Sequence, residues 1–120
     1  MESSGVENQL PINKRPSVNR MVEDVVGCKW SLSVLDLIAQ GINRPGAMER
    51  SLDGLTTKVL NERLKKLVNY GILHRHAYPE IPPRVEYALT DFGQKFVRIL
   101  DEIHKLNQEL ENKHIQPHHR

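Results

Sequence analysis

The stretch HRHAYPEIPPRVEYALT, residues 74–90, constrains the fold more than any other. Two strand-like runs, HRHAY and RVEYALT, flank a tip, PEIPP, whose three prolines hold it stiff. Val85, Tyr87 and Leu89 alternate with Arg84, Glu86 and Ala88, as a half-buried strand requires, while the first run alternates less cleanly. The hairpin follows directly on an amphipathic helix. Thr56 stands as its N-cap, Leu60, Leu64 and Leu67 repeat at i, i+4 and i+7, and Gly71 ends it. Lys58, Asn61, Glu62, Lys65 and Asn69 fall on the opposite face.

Upstream, the same reasoning places three more helices. Val18, Met21, Val22, Val25 and Val26 follow the helical period between a Ser17 cap and Gly27. Trp30, Val34, Leu37 and Ile38 mark a second, strongly apolar helix, with Ser31 as a candidate cap and Gly41 as its stop. Pro45 opens a short third segment in which Ala47, Met48 and Leu52 face inward. Asp53-Gly54 then turns the chain into the helix from Thr56. A final helix starts at the Thr90 cap, with Asp91 in its first turn, and runs to about Glu111. The polar stretch 1–16, punctuated by Gly5, Pro11 and Pro16, reads as a flexible arm, and residues 112–120 as a loose tail.

This order is that of a winged helix-turn-helix: one α+β, mainly helical domain over residues 17–111, closed by a long helix at 90–111. A chain of 120 residues suits one such domain. Its charge is uneven. The formal net charge is only +2, but residues 54–89 hold six basic side chains (Lys58, Arg63, Lys65, Lys66, Arg75, Arg84) against three acidic ones (Glu62, Glu80, Glu86). A polyanionic partner fits that excess.

Thr56, Thr57, Lys58, Asn61 and Lys65 are therefore candidate DNA contacts, with Thr57, Lys58 and Asn61 nearest the bases and Lys65 nearer a phosphate. Arg84, at the foot of the stiff tip, is a candidate for a phosphate or a narrow minor groove, or else bonds Glu80 or Glu86 within the hairpin. Arg63 projects toward the apolar side and reads as a structural ion pair. On the last helix, Phe92, Phe96, Ile99, Ile103, Leu106 and Leu110 are spaced 4, 3, 4, 3, 4. That is a heptad seam, whose first two turns suit the domain itself and whose continuation from Ile103 suits a second subunit. A homodimer places two recognition helices about one DNA turn apart and calls for a pseudo-palindromic operator of double-stranded DNA.

The remaining features are weaker. Cys28, the single cysteine, excludes an intrachain disulfide; beside Lys29 it is a redox candidate, set against an inert small hydrophobe. His114, His118 and His119 lack the spacing of a metal site, and His74 and His76 share one strand face. No catalytic motif, cofactor loop, signal segment or membrane span is legible, so the expectations are no enzyme, no metal, no cofactor and a cytoplasmic location. A winged-helix module that binds protein rather than DNA is the competing reading.

Three segments, GCKWSLSVLDLIAQG, GLTTKVLNERLKKLVNYGIL and YPEIPPRVEYALTDFG, resemble the HxlR-type family of winged helix-turn-helix transcriptional regulators. The resemblance covers about residues 18–106, and the Lys29-Trp30 pair, the LNERLKKL core and the Tyr78-Pro79-Glu80 hairpin stand in the family's order. It implies a homodimer on operator DNA, with Val18, Met21, Val22, Ile99, Ile103, Leu106 and Leu110 as interface candidates. Several such regulators sense oxidants through a cysteine at the start of the first helix. Here Ser17 holds that slot and Cys28 stands at what looks like a glycine position, so thiol sensing does not carry over.

Overall fold

The computed structural model describes residues 9–115. Five helices and one hairpin follow in the order α1 (Val18–Val26), α2 (Lys29–Ala39), α3 (Pro45–Ser51), α4 (Thr57–Asn69), β1 (Leu73–Tyr78), β2 (Arg84–Leu89) and α5 (Asp91–Ile115). This is the winged helix-turn-helix expected from the sequence.

The caps explain where the helices begin. Ser17 accepts a hydrogen bond from the Arg20 amide at 3.2 Å, and Thr56 accepts one from the Val59 amide at 3.1 Å. Each satisfies an amide that the first helical turn leaves open, an arrangement worth about 1 kcal/mol. Ser31 is not a cap: α2 begins two residues earlier, at Lys29, with Cys28 in the N-cap position, and Ser31 is buried in its first turn. At the other end of α4 the chain turns through Gly71, whose φ of 80° is the left-handed conformation that glycine adopts without strain.

The core lies where α2 packs against α1, α4 and β2. Val34, Leu60, Leu64, Ile72 and Leu73 are sealed from solvent, and Met48 anchors the short α3 to them. Truncating any of these leucines to alanine would cost roughly 2–5 kcal/mol. The two strands pair antiparallel, from Leu73↔Leu89 to Tyr78↔Arg84, so PEIPP projects as the tip. One face of the hairpin, with Leu73 and the buried Tyr87, turns to the core; the other carries His74, His76, Tyr78, Arg84 and Glu86. The Tyr87 amide also donates to the Asn43 carbonyl at 2.9 Å, tying β2 to the loop that leads into α3.

Both ends differ from the sequence reading. Residues 9–16 do not hang loose: Gln9 donates to the Leu73 carbonyl, the Leu10 amide donates to the Asn69 carbonyl, and residues 12–14 form a 3-10 turn. Arg15 then lies over Gly71, so close that a Cβ there would fall 2.3 Å from its guanidinium. The arm thus closes the carboxyl end of α4, and residues 1–8 lie outside the described part. α5 continues to Ile115 rather than ending near Glu111, and His118 and His119 lie outside the described residues.

Candidate nucleic-acid interface

α3, the turn and α4 form the helix-turn-helix, and a side-chain bond sets its angle: the Thr57 hydroxyl donates to the Glu49 carboxylate at 2.9 Å. With Thr56 spent on the cap and Thr57 on Glu49, two of the expected DNA-contacting hydroxyls are already engaged inside the protein. Lys58, Asn61 and Lys65 are different. All three are exposed, and none has a hydrogen-bond or ion-pair partner among the described residues. They share one face of the first two and a half turns of α4, opposite Leu60, Leu64 and Leu67.

Arg84 turns inward. Its guanidinium lies 2.9 Å from Glu80 and 3.6 Å from Glu86, and stacks over the Tyr78 ring at 3.6 Å. The intramolecular alternative left open by the sequence is thus the arrangement found. Glu86 is the centre of this cluster, for it also accepts from Tyr78 at 3.1 Å and pairs with Arg44 at 3.2 Å. His76 adds an edge-to-face contact to Tyr78. The network ties the wing to the residue just ahead of α3. Arg44 carried no sequence signal, because its partner lies 42 residues away across the β2 register.

Arg63 makes a long, partly exposed pair with Glu62 at 3.9 Å and donates to the Cys28 thiol at 3.7 Å. Burial pushes the thiol pKa up, but hydrogen bonds from Ser31 and from the Ser31 and Trp30 amides, with the charge of Arg63, pull it further down, to a value below the ordinary thiol range. Cys28 therefore sits in a polar, half-buried niche at the head of α2.

The interface candidates of α1 and α5 divide. Met21 is only 2% exposed and belongs to the protein's own core, so it is unavailable to a partner. Val22 packs partly against the same core. Val18 is 38% exposed, Ile99 43%, Leu106 61% and Leu110 65%, and Ile103 is half-buried. Phe92 and Phe96 pack on the domain, as the heptad reading proposed for the first turns, but the next anchor is Leu100, which lies off that seam. Val26, read from the sequence on the apolar face of the first helix but not as an interface candidate, is 40% exposed and adds to the stripe. Among the described residues no helix is long and apolar enough to cross a membrane, and no three histidine, cysteine or carboxylate side chains could hold a metal ion.

Residues 25–115 match the protein family described as HxlR-like helix-turn-helix. An uncharacterised HTH-type transcriptional regulator of Synechocystis sp. is 43% identical over 73% of this chain and 65% of its own length, so the match leaves about a third of that relative uncovered. A protein named as regulatory protein MalR of Fusobacterium mortiferum is 41% identical over 70% of this chain and 80% of its own. Among solved structures, a transcriptional regulator from Enterococcus faecalis V583, described as of the MarR family, superposes with a TM-score of 0.71 at 34% identity, covering 79% of this chain and 86% of that one.

Proposed function

The chain belongs to the HxlR-like helix-turn-helix family, and on that premise we propose that it is a sequence-specific DNA-binding transcriptional regulator that acts as a homodimer on a pseudo-palindromic operator. The observation that carries this reading is the partnerless polar face of α4. Lys58, Asn61 and Lys65 stand on a helix whose start is capped, whose angle is fixed by Thr57 and Glu49, and whose far side is sealed core. Such a face meets the major groove without first breaking an internal bond.

Asn61 and Lys58 reach base edges, where an amide or ammonium discriminates by hydrogen bonding; Lys65, a turn further on, meets a phosphate. Thr56 and Thr57 serve by positioning the helix, and Arg84 by bracing the wing. The exposed Val18, Val26, Ile99, Leu106 and Leu110, with the half-buried Ile103, form the surface for the second subunit.

Duplexes selected from a random pool by the purified full chain supply the test. Asn61→Ala should cost roughly 1–3 kcal/mol on the selected duplex and relax preference at one base pair. Lys65→Ala should weaken selected and random duplexes alike and make the salt dependence shallower by about one ion. Equal, uniform losses in both variants would defeat the assignment.

A further inference from the structure

The tip of the wing carries no cation. Its outermost side chain is Ile81, fully exposed at 101%, held between Glu80 and Pro82 in a five-residue loop that begins where the ladder closes at Tyr78↔Arg84. An isoleucine on a flexible loop would fold back onto the protein and cover itself. Pro79, Pro82 and Pro83 deny this loop that freedom, so the apolar side chain is held out in water.

Beside it lies an open groove of about 500 Å3, walled on one side by Arg44, Pro45 and Arg50 and on the other by Ile81, Pro83 and Arg84. Three guanidinium groups and a single carboxylate, that of Glu80, line it. Arg84 is spent on Glu80 and Glu86, and Arg44 shares Glu86 while staying 53% exposed. Arg50 is exposed and has no partner among the described residues. The groove therefore offers positive charge next to a rigid apolar point, which matches the alternation of phosphate and deoxyribose along a DNA strand. It is also continuous with the recognition helix. The Thr57–Glu49 bond joins α4 to α3, and the Arg44–Glu86 pair joins α3 to the wing.

We propose that this groove seats the DNA strand bordering the major-groove contact, with Arg50 and Arg44 on its phosphates and Ile81 pressed as an apolar wedge into the adjoining minor groove. The inference rests on the DNA-binding reading above. Apolar wedges of this kind partly unstack a base step and bend the duplex, so the wing reads deformability at a step it does not hydrogen-bond. Sequence preference at the wing then comes from how easily a step opens.

The full chain and its selected duplexes again provide the assay, with affinity measured across a salt series and bending by energy transfer between the duplex ends. Arg50→Gln should make the salt slope shallower by about 0.9 on every duplex. Ile81→Ala should keep the wild-type slope yet lose roughly tenfold on the selected duplex, reduce the bend and leave random duplexes unaffected. Ile81→Arg should steepen the slope without restoring the bend. Because these side chains are exposed, unchanged thermal melting verifies that each variant is folded. If Ile81→Ala and Arg50→Gln bind and bend the selected duplex as wild type while Lys65→Ala still weakens it, this inference alone is overturned, and the groove falls to a protein partner. If the wild type binds no duplex in a salt-dependent way, the DNA-binding reading falls with it.

Discussion

At the scale of single residues, what the sequence hides is close approach. Gly93 looks like an ordinary early-helix glycine, yet a Cβ there would lie 2.0 Å from the Ile72 carbonyl oxygen. That carbonyl accepts from the Thr90 amide, the Thr90 hydroxyl donates to the neighbouring Gly71 carbonyl, and the Gly93 amide donates to the Thr90 hydroxyl, so the junction of β2 and α5 is packed around the missing side chain. Thr90 as a cap is legible from its type and place; the need for glycine three residues later is not, because Ile72 lies in the turn between α4 and β1, far away in the sequence. Gly93→Ala should therefore destabilise the fold by about 1–3 kcal/mol, although alanine is the better helix former. Urea unfolding of the two proteins decides it, and a more stable variant would mean that α5 can move off Ile72 without cost. The same contrast separates Asn61 from Arg84. Asn61 lies on the polar face that periodicity predicts, whereas for Arg84 the sequence left DNA and the carboxylates Glu80 and Glu86 as alternatives, and the register that sets it beside Tyr78 belongs to the hairpin.

At the scale of elements, helix faces were readable because burial repeats with the helical period, and inter-element bonds were not. The clamp between α1 and α4 is the clearest case. The Tyr70 hydroxyl donates to the Asp24 carboxylate, which also lies 3.6 Å from Lys66. The hydrogen bond from Tyr70, opposed by burial and helped by Lys66 and Arg20, holds the Asp24 carboxyl below its usual range. Burial, then the bond and charge of Asp24, pushes Tyr70 up to about 12. The linkage has a definite sign at each end. Asp24, depressed on folding, adds stability above its unfolded value of about 4 and loses it as pH falls through the folded value. Tyr70, raised on folding, adds stability below about 10 and loses it as pH rises through the folded value. Tyr70→Phe should thus cost about 1–2 kcal/mol near neutral pH. The deficit should shrink as the pH falls below about 4 and through the depressed folded value, as Asp24 becomes protonated. Urea titrations at several pH values measure it, and a deficit that stays constant would show that the bond draws nothing from the carboxylate charge.

At the scale of the whole molecule, α5 poses a question that one chain cannot answer by itself. Its first turns are held by Phe92, Phe96 and Leu100, but beyond Leu100 every described side chain through Lys113 is exposed except the half-buried Ile103. An isolated helix of that length is marginal in water, and in the proposed dimer the second copy would be what covers and stabilises it. The exposed stripe of α1, Val18 and Val26, supplies further apolar area, and Met21 and Val25 between them face the protein's own core. Burying Ile103, Leu106 and Leu110 between two copies contributes roughly 1.5–3 kcal/mol each, before the cost of association is subtracted. Replacing Ile103 by Glu together with Leu106 by Lys should therefore yield monomers whose domain still melts cooperatively, because the core cluster ends at Leu100. Each monomer keeps its recognition helix and wing but loses the second half-site, so affinity for a palindromic duplex should fall toward that for random DNA. Sedimentation and gel-shift titration on one preparation separate the two effects. A double variant that still sediments as a dimer would move the interface from the end of α5 to the valine stripe of α1. Monomers that bind the palindrome as tightly as wild type would mean that a single half-site carries the recognition.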